Sequence, residues 1–416
     1  MFDAAAFDAL KFQGDPLADA VVADLVATNR VSVVNEVLEH FRANDQPIPE
    51  QLPDLVRDFL VATDNPPDWV DHDRVARAYG FFVDDGVHVA SVLTFGAMVN
   101  CYAQPRPSRV LTLTHGLNQP HRRLSETSQF VMNMMGRDAF GSGGTFVPTI
   151  QKTRLIHAAV RHFLTTSGRW DVEADGVPVC QQDMVGALLI FSVQVIEGMR
   201  RIGISVTEEE AADYYYVWRV TGAMLGIPVE ALPESLEEAR ELSTAVVEAA
   251  YGPSPDGVVL TRHLLDLYER LFPGKVFDGV VAAMVRQVVN PEVADWMEVP
   301  NSRGWGRVVS TGARLVRALE RSEDNSALAT AILDRAGALL LGGSVRDLTN
   351  GQSTTLSIPT DLHERWAAAG TCPVPAQAGP ARVDLAEPGP AQPGPVQPGP
   401  VQPGAASTGA AQAGPA

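Results

Sequence analysis

Lys152, Arg154, His157, Arg161 and His162 fall within eleven residues of one another, in the stretch KTRLIHAAVRHFL that runs from Lys152 to Leu164. Residues of these types can do two kinds of work. They can solvate one side of an amphipathic helix. They can also line a site for something anionic, flat or metal-containing, since arginine presents a forked set of donors and neutral histidine a ring nitrogen. Placed on a helix at 100° per residue, Leu155, Ile156, Ala159, Val160, Phe163 and Leu164 fill an arc of about 180°. Arg154, His157, Ala158 and Arg161 lie on the opposite arc, with His162 at its edge. The small Ala158 would let a planar macrocycle approach while the arginines reach its carboxylates. Histidine is a usual axial ligand of haem iron. The residues alone leave both readings open.

Other constellations carry less. GSGG at Gly141 has no preceding strand, so it reads as a linker rather than a dinucleotide loop. There is no HExxH, no pair of ExxH motifs and no serine in GxSxG. In WVDHDR, from Trp69 to Arg74, adjacent side chains diverge on a helix, and a helix cap explains the stretch better than a metal site. His115 and His121 flank GLNQP and read as turn histidines. Of Tyr214, Tyr215 and Tyr216, which spread around a helix, at least one is expected in the core. Cys101, Cys180 and Cys372 lie far apart without a CxxC, which implies neither a disulfide framework nor a structural zinc site.

The elements that must position these residues are helical nearly throughout. Apolar residues recur at helical spacing in PDLVRDFLV (Pro53 to Val61), in the stretch opened by Pro120, and in QDMVGALLIFSVQVIEGMRRIGI. Thr207 with Glu210 forms a capping-box signature, Pro228 stops the helix that follows, and Ser235 with Glu238 starts another. Further helices are expected through residues 262–272, 277–289, 312–322 and 327–341. Only RVLTLT (Arg109 to Thr114) and STTLSI (Ser353 to Ile358) invite strand readings. The fold class expected is all-α, a single large helical domain over residues 1–370. From about residue 371, repeated Pro-Gly-Pro with Ala and Gln has almost nothing to bury and reads as a disordered low-complexity tail over 371–416. It names no partner for itself.

Composition narrows the function classes. A net charge of −18 over 416 residues argues against nucleic acid as a partner, because phosphate binding needs a basic stripe. Five aspartates and no basic start before Ala27 argue against a conventional secretory signal. The most apolar run, Met184 to Ile196, is 13 residues long, against about 20 needed to span a bilayer. It reads as a buried core helix, with no integral membrane segment. The expectation is a cytoplasmic protein.

Five stretches, in order and spacing, resemble the family of oxygenases that includes the rubber oxygenases (latex clearing proteins) and the mpaB-type oxygenases. They are PPDWVDHDRVARAYGFF (Pro66 to Phe82), RVLTLT with RRLSET (Arg122 to Thr127), KTRLIHAAVRH, VPVCQQDMVGALLIFS (Val177 to Ser192) and WRVTGAMLGIP (Trp218 to Pro228). The resemblance is strongest over 66–232. It implies an all-α fold, a b-type haem held by histidine, and use of dioxygen on a carbon–carbon double bond of an isoprenoid.

Carried over residue by residue, the resemblance places the family's arginine and histidine on Arg154 and His157, and its glutamate on Glu126. The rubber-oxygenase proximal histidine would fall at Leu188 or Leu189, and a further family histidine falls on Ala223. No histidine lies between His162 and His263. The expectation is therefore a haem-dependent oxygenase of a hydrophobic small molecule, with haem b iron on His157. Arg154, Ala158 and Arg161 would contact the cofactor. Glu126 and Arg154 would serve catalysis, and His162 would be structural. The alternatives are a haem-free helical binding protein for a lipid-like ligand and a scaffold or cargo protein tethered by its tail.

Overall fold

Short polar residues start the helices of this chain by satisfying their first free N–H groups. Asp15 accepts from the amide of Ala18 and Asp71 from those of Asp73 and Arg74, which is the cap expected of WVDHDR. The Thr207–Glu210 capping box is present, and Ser235 accepts from the amide of Glu238. The computed structural model describes residues 4–115, 120–136, 138–271, 279–301, 304 and 357–359. The helices expected at 312–322 and 327–341, and the stretch from 371 onward, lie outside the described residues.

Seventeen α-helices follow one another among the described residues. They are α1 (Ala4–Ala9), α2 (Pro16–Ala27), α3 (Val31–His40), α4 (Asp54–Ala62), α5 (His72–Val92) and α6 (Met98–Tyr102). Then come α7 (Pro105–His115), α8 (Pro120–Met135), α9 (Phe146–Thr166), α10 (Val172–Asp175), α11 (Gln181–Phe191) and α12 (Val193–Ile202). The last are α13 (Glu208–Met224), α14 (Leu236–Ala250), α15 (Pro255–Leu271), α16 (Val280–Val288) and α17 (Pro291–Trp296). No strand occurs among the described residues, so the fold is all-α.

Two expectations need correction. Arg109 to Thr114 is not a strand but lies within α7. Packing against α15 decides its conformation over its β-type composition, and the hydroxyls of Thr112 and Thr114 bond back to the carbonyls of Arg109 and Val110. The apolar run around Met184 to Ile196 is not one helix. It breaks at buried Ser192 (φ −108°, ψ −83°), whose amide and hydroxyl both donate to the Leu188 carbonyl. A longer apolar helix lies earlier in the chain. α5, a π-helical stretch (Leu93–Ala97) and α6 run on for 31 residues from His72 to Tyr102, long and apolar enough to cross a membrane by length and composition. Here the run packs against α12 and α13, as a core helix does. Residues 353–356 of the second expected strand lie outside the described residues.

Two large apolar cores, and a small cluster of Val110, Val160, Leu164 and Trp170, divide the described residues. The larger gathers α5, α6, α11, α12, α13 and their neighbours. All three tyrosines of 214–216 are buried in it, with hydroxyls donating to the carbonyls of Phe191, Pro233 and Trp69. The smaller joins α2, α3 and α4 to Leu155, Ala158 and Ala159 of α9. Ile358 completes it, and the Asn35 side chain bonds both the amide and the carbonyl of Ile358. α9 contributes to both cores, so what it presents to each decides the site.

Candidate active site

A cavity of about 300 Å³ opens between α9 and α11, with α7, α8 and α13 closing it. The α9 wall is Thr153, Ile156, His157 and Val160, the i, i+3, i+4, i+7 face of a helix. The α11 wall repeats the spacing with Met184, Ala187, Leu188 and Phe191. Glu126, Thr127 and Phe130 enter from α8, and Trp218 and Thr221 from α13. The rings of Phe191 and Trp218 stack at 5.3 Å with 19° between their planes. Most of the lining is apolar, with a few convergent polar groups, the usual make-up of a small-molecule site. His157 and Glu126, assigned from the resemblance to different helices, thus share one cavity.

The arginines do not join them. Arg154 is buried, and its Nε and Nη2 meet the two carboxylate oxygens of Asp15 at 2.7 and 2.9 Å. Its Nη1 donates to the carbonyl of Met224 at 3.2 Å. Arg161, also buried, meets Asp19 at 2.7 Å and the Val179 carbonyl at 2.9 Å. Ala158 is fully buried in the smaller core. Arg154, Ala158 and Arg161, expected at a cofactor, thus face α2 in this structure and do not line the cavity. The physical reason is angular. At 100° per residue, residues 154, 158 and 161 centre roughly 120° away from residues 153, 156, 157 and 160. One cationic arc is in fact two faces with different neighbours. His162 does not line the cavity; burial pulls its ring below the usual histidine range, against the charge of Asp19.

Burial pushes the Asp19 carboxyl up from its ordinary range although Arg161 opposes the shift. Among the described residues that line the cavity there is no lysine or arginine. Among all described residues there is no cluster of three or more potential metal ligands.

Sequence reasoning missed three features of the site. Asp183 lines the cavity, is held by Arg106 (Nη2 at 2.6 Å, Nε at 3.1 Å) and accepts from the Cys180 amide at the start of α11. Its signal was present in the QQDM piece. Val179, also in the wall, has φ +52°, a left-handed conformation that a β-branched residue rarely takes. Asp15 and Asp19 gave no signal beyond a helix start, since their partners lie 139 and 142 residues away. His115 and His121 lie outside the described side chains.

Leu188 lines the cavity whereas Leu189 is buried in the core, so Leu188 stands on the wall where the resemblance placed a ligand histidine. It packs into the notch left by Gly222: a Cβ there would lie 2.4 Å from Leu188 Cδ1. A haem can be tested against the donor set that remains. It asks for a neutral nitrogen ligand and apolar walls, and His157 with Ile156, Val160, Met184 and Phe191 provides those. The propionate partners expected at Arg154 and Arg161 are committed to Asp15 and Asp19.

Comparisons with known proteins agree with this architecture. The rubber oxygenase of Streptomyces sp. (strain K30) is 28% identical over 299 residues, which cover 71% of this chain and 73% of that protein. The solved structure of latex clearing protein LCP in the closed state superposes with a TM-score of 0.72 at 25% identity, covering 84% of this chain and 95% of that one. The family described as ER-bound oxygenase mpaB/B′/rubber oxygenase, catalytic domain, matches residues 86–318, more than half of the sequence. With its all-α fold and its apolar cavity, the chain belongs to that oxygenase family.

Proposed function

We propose that the chain is a haem-dependent oxygenase that acts in this cavity on a hydrophobic, isoprenoid-like substrate, with dioxygen as co-substrate, by oxidative cleavage or oxygenation. The observation that carries the reading is the meeting of His157 and Glu126 across an apolar cavity in a chain of this family. His157 would hold the iron from the α9 wall. A haem b, when bound, supplies the electron-transfer and dioxygen chemistry that no side chain here offers. The chain's own residues do the rest. Ile156, Val160, Met184 and Leu188 exclude water and hold hydrocarbon by burial. The stacked Phe191 and Trp218 rings add aromatic surface to the lining. Glu126 holds or takes a proton at its carboxylate, the acid–base group on the α8 wall among the described residues. A volume of about 300 Å³ lies at the low end for small-molecule sites. We further propose a cytoplasmic location.

One observation favours a second reading, a haem-free binding protein for a lipid-like ligand: Leu188, not histidine, is built into the α11 wall against Gly222. Reconstitution with haemin separates the two. The oxygenase reading expects a Soret band in the parent chain, its loss in His157→Ala and its retention in His162→Ala. It also expects Glu126→Gln to keep the band and lower turnover by about 10² to 10⁴. A parent chain with no Soret band after reconstitution sinks the haem reading and leaves the binding protein. A band that survives His157→Ala moves the ligand elsewhere.

A further inference from the structure

Two carboxylates on α2 reach two walls of the cavity through the arginines of α9. Arg154 reads Asp15 with Nε and Nη2 and the Met224 carbonyl with Nη1. Met224 ends α13, which brings Trp218 and Thr221 to the cavity. Gly226 closes on the same guanidinium, since a Cβ there would stand 3.0 Å from Nη2. Arg161 reads Asp19 with Nε and the Val179 carbonyl with Nη1. Val179 lies in the wall just before α11, in a left-handed conformation that persists only when its surroundings hold it. The chain before α2 grips the same turn: Val177 donates to the Lys11 carbonyl, and Gln181 to the carbonyls of Gln13 and Gly14. Asp19 also accepts from the amide of Asp15, so the two carboxylates form one unit.

We propose that Asp15 and Asp19 are positioning residues of the site: through Arg154 and Arg161 they fix the ends of α13 and α11 relative to the α9 wall that carries His157. They lie outside the matched residues 86–318, and the inference rests on the reading of the cavity as the site of reaction. Its chemistry is simple. The Arg154 guanidinium, bound in two places by Asp15, is pinned and its Nη1 is then aimed at one carbonyl, while Arg161 is held by Asp19 through Nε alone and donates to the Val179 carbonyl through Nη1. Without the carboxylate the fork turns and the carbonyl is released.

The test compares the parent with Asp19→Asn, whose side chain is partly exposed and whose loss the fold should bear, and with Asp15→Asn. Should Asp15→Asn fail to fold, Asp15→Asn/Arg154→Gln restores a neutral pair too short to reach Met224. Two readouts are taken, amide hydrogen exchange and haemin loss to apomyoglobin. In Asp19→Asn, exchange over residues 177–184 rises about tenfold while α14 is unchanged; in the Asp15 variants the same holds over 221–227. Haemin loss quickens by about tenfold, the size seen when a group that orients a ligand is removed. Unchanged exchange overturns the inference. So does faster exchange with haemin loss unchanged, which would make the aspartates structural only. A parent chain that takes up no haemin sinks the functional reading and this inference together, and shows itself before any aspartate is altered.

Discussion

The two faces of α9 differ in what they ask of the chain. Toward α2, two buried guanidiniums meet two carboxylates, and Ala158 lets the helices close on each other. Toward α11, a histidine and three apolar or small polar side chains face an open cavity. The first face buries both cations, which is tolerable only because each has a carboxylate partner and a carbonyl. The second leaves volume unfilled, which costs packing energy and is what a binding site needs. Stability and function have been sorted onto different faces of one helix.

The largest effect should come from unpairing the closed face. Arg154→Ala leaves the Asp15 carboxylate buried beside a void, and breaking a buried pair typically costs about 3–5 kcal/mol. Urea unfolding should show it as a fall in midpoint. Thr153→Ala, one residue earlier on the open face, should cost less than about 1 kcal/mol. Equal costs would show that the faces are not different in kind.

A contrast between two alanines sharpens the comparison further. Ala158 is fully buried against α2, so Ala158→Leu overpacks the smaller core and should cost about 1–3 kcal/mol. Ala187 faces the cavity, so Ala187→Leu should leave the unfolding midpoint nearly unchanged while reducing uptake of haemin or hydrocarbon. A stability loss at Ala187 matching that at Ala158 would mean that the cavity closes in solution.

Much of this fold was legible in the sequence because helices announce themselves locally. Asp71, Thr207 and Ser235 are caps that need only their own next three residues. The break at Ser192 was not legible, since nothing in LLIFSVQVI departs from helical composition. The helix of Arg109 to Thr114 was hidden for the opposite reason: its threonines suggest a strand until α15 is packed against it. At the site, Glu126 and His157 were reached by resemblance, and their common cavity follows from the packing of α8 on α9. The fate of Arg154 was beyond reach. A helical wheel gives angles but not neighbours, and the neighbour that decides Arg154 is Asp15, 139 residues away.

Lys152 tests a third side of α9, and its effect is read through pH. Burial, helped by the nearby charge of Arg42 and opposed by Glu39, lowers its amine from 10.5 to about 8. The folded chain therefore gives up this proton at lower pH than the unfolded chain does. Between pH about 8 and 10.5 the unfolded state binds more protons at this site, so its contribution to stability rises with pH. Below pH 8 both states are protonated, and the fold carries a penalty for the buried charge. The rise is at most about 1.4 kcal/mol per pH unit. Lys152→Met removes the charge while keeping the length of the stem. It should raise the unfolding midpoint at pH 7 and flatten the parent's relative gain between pH 8 and 10. A midpoint that falls at pH 7 would mean that Lys152 is held by Glu39 rather than strained by burial, and that this side of the helix belongs with the paired arginines.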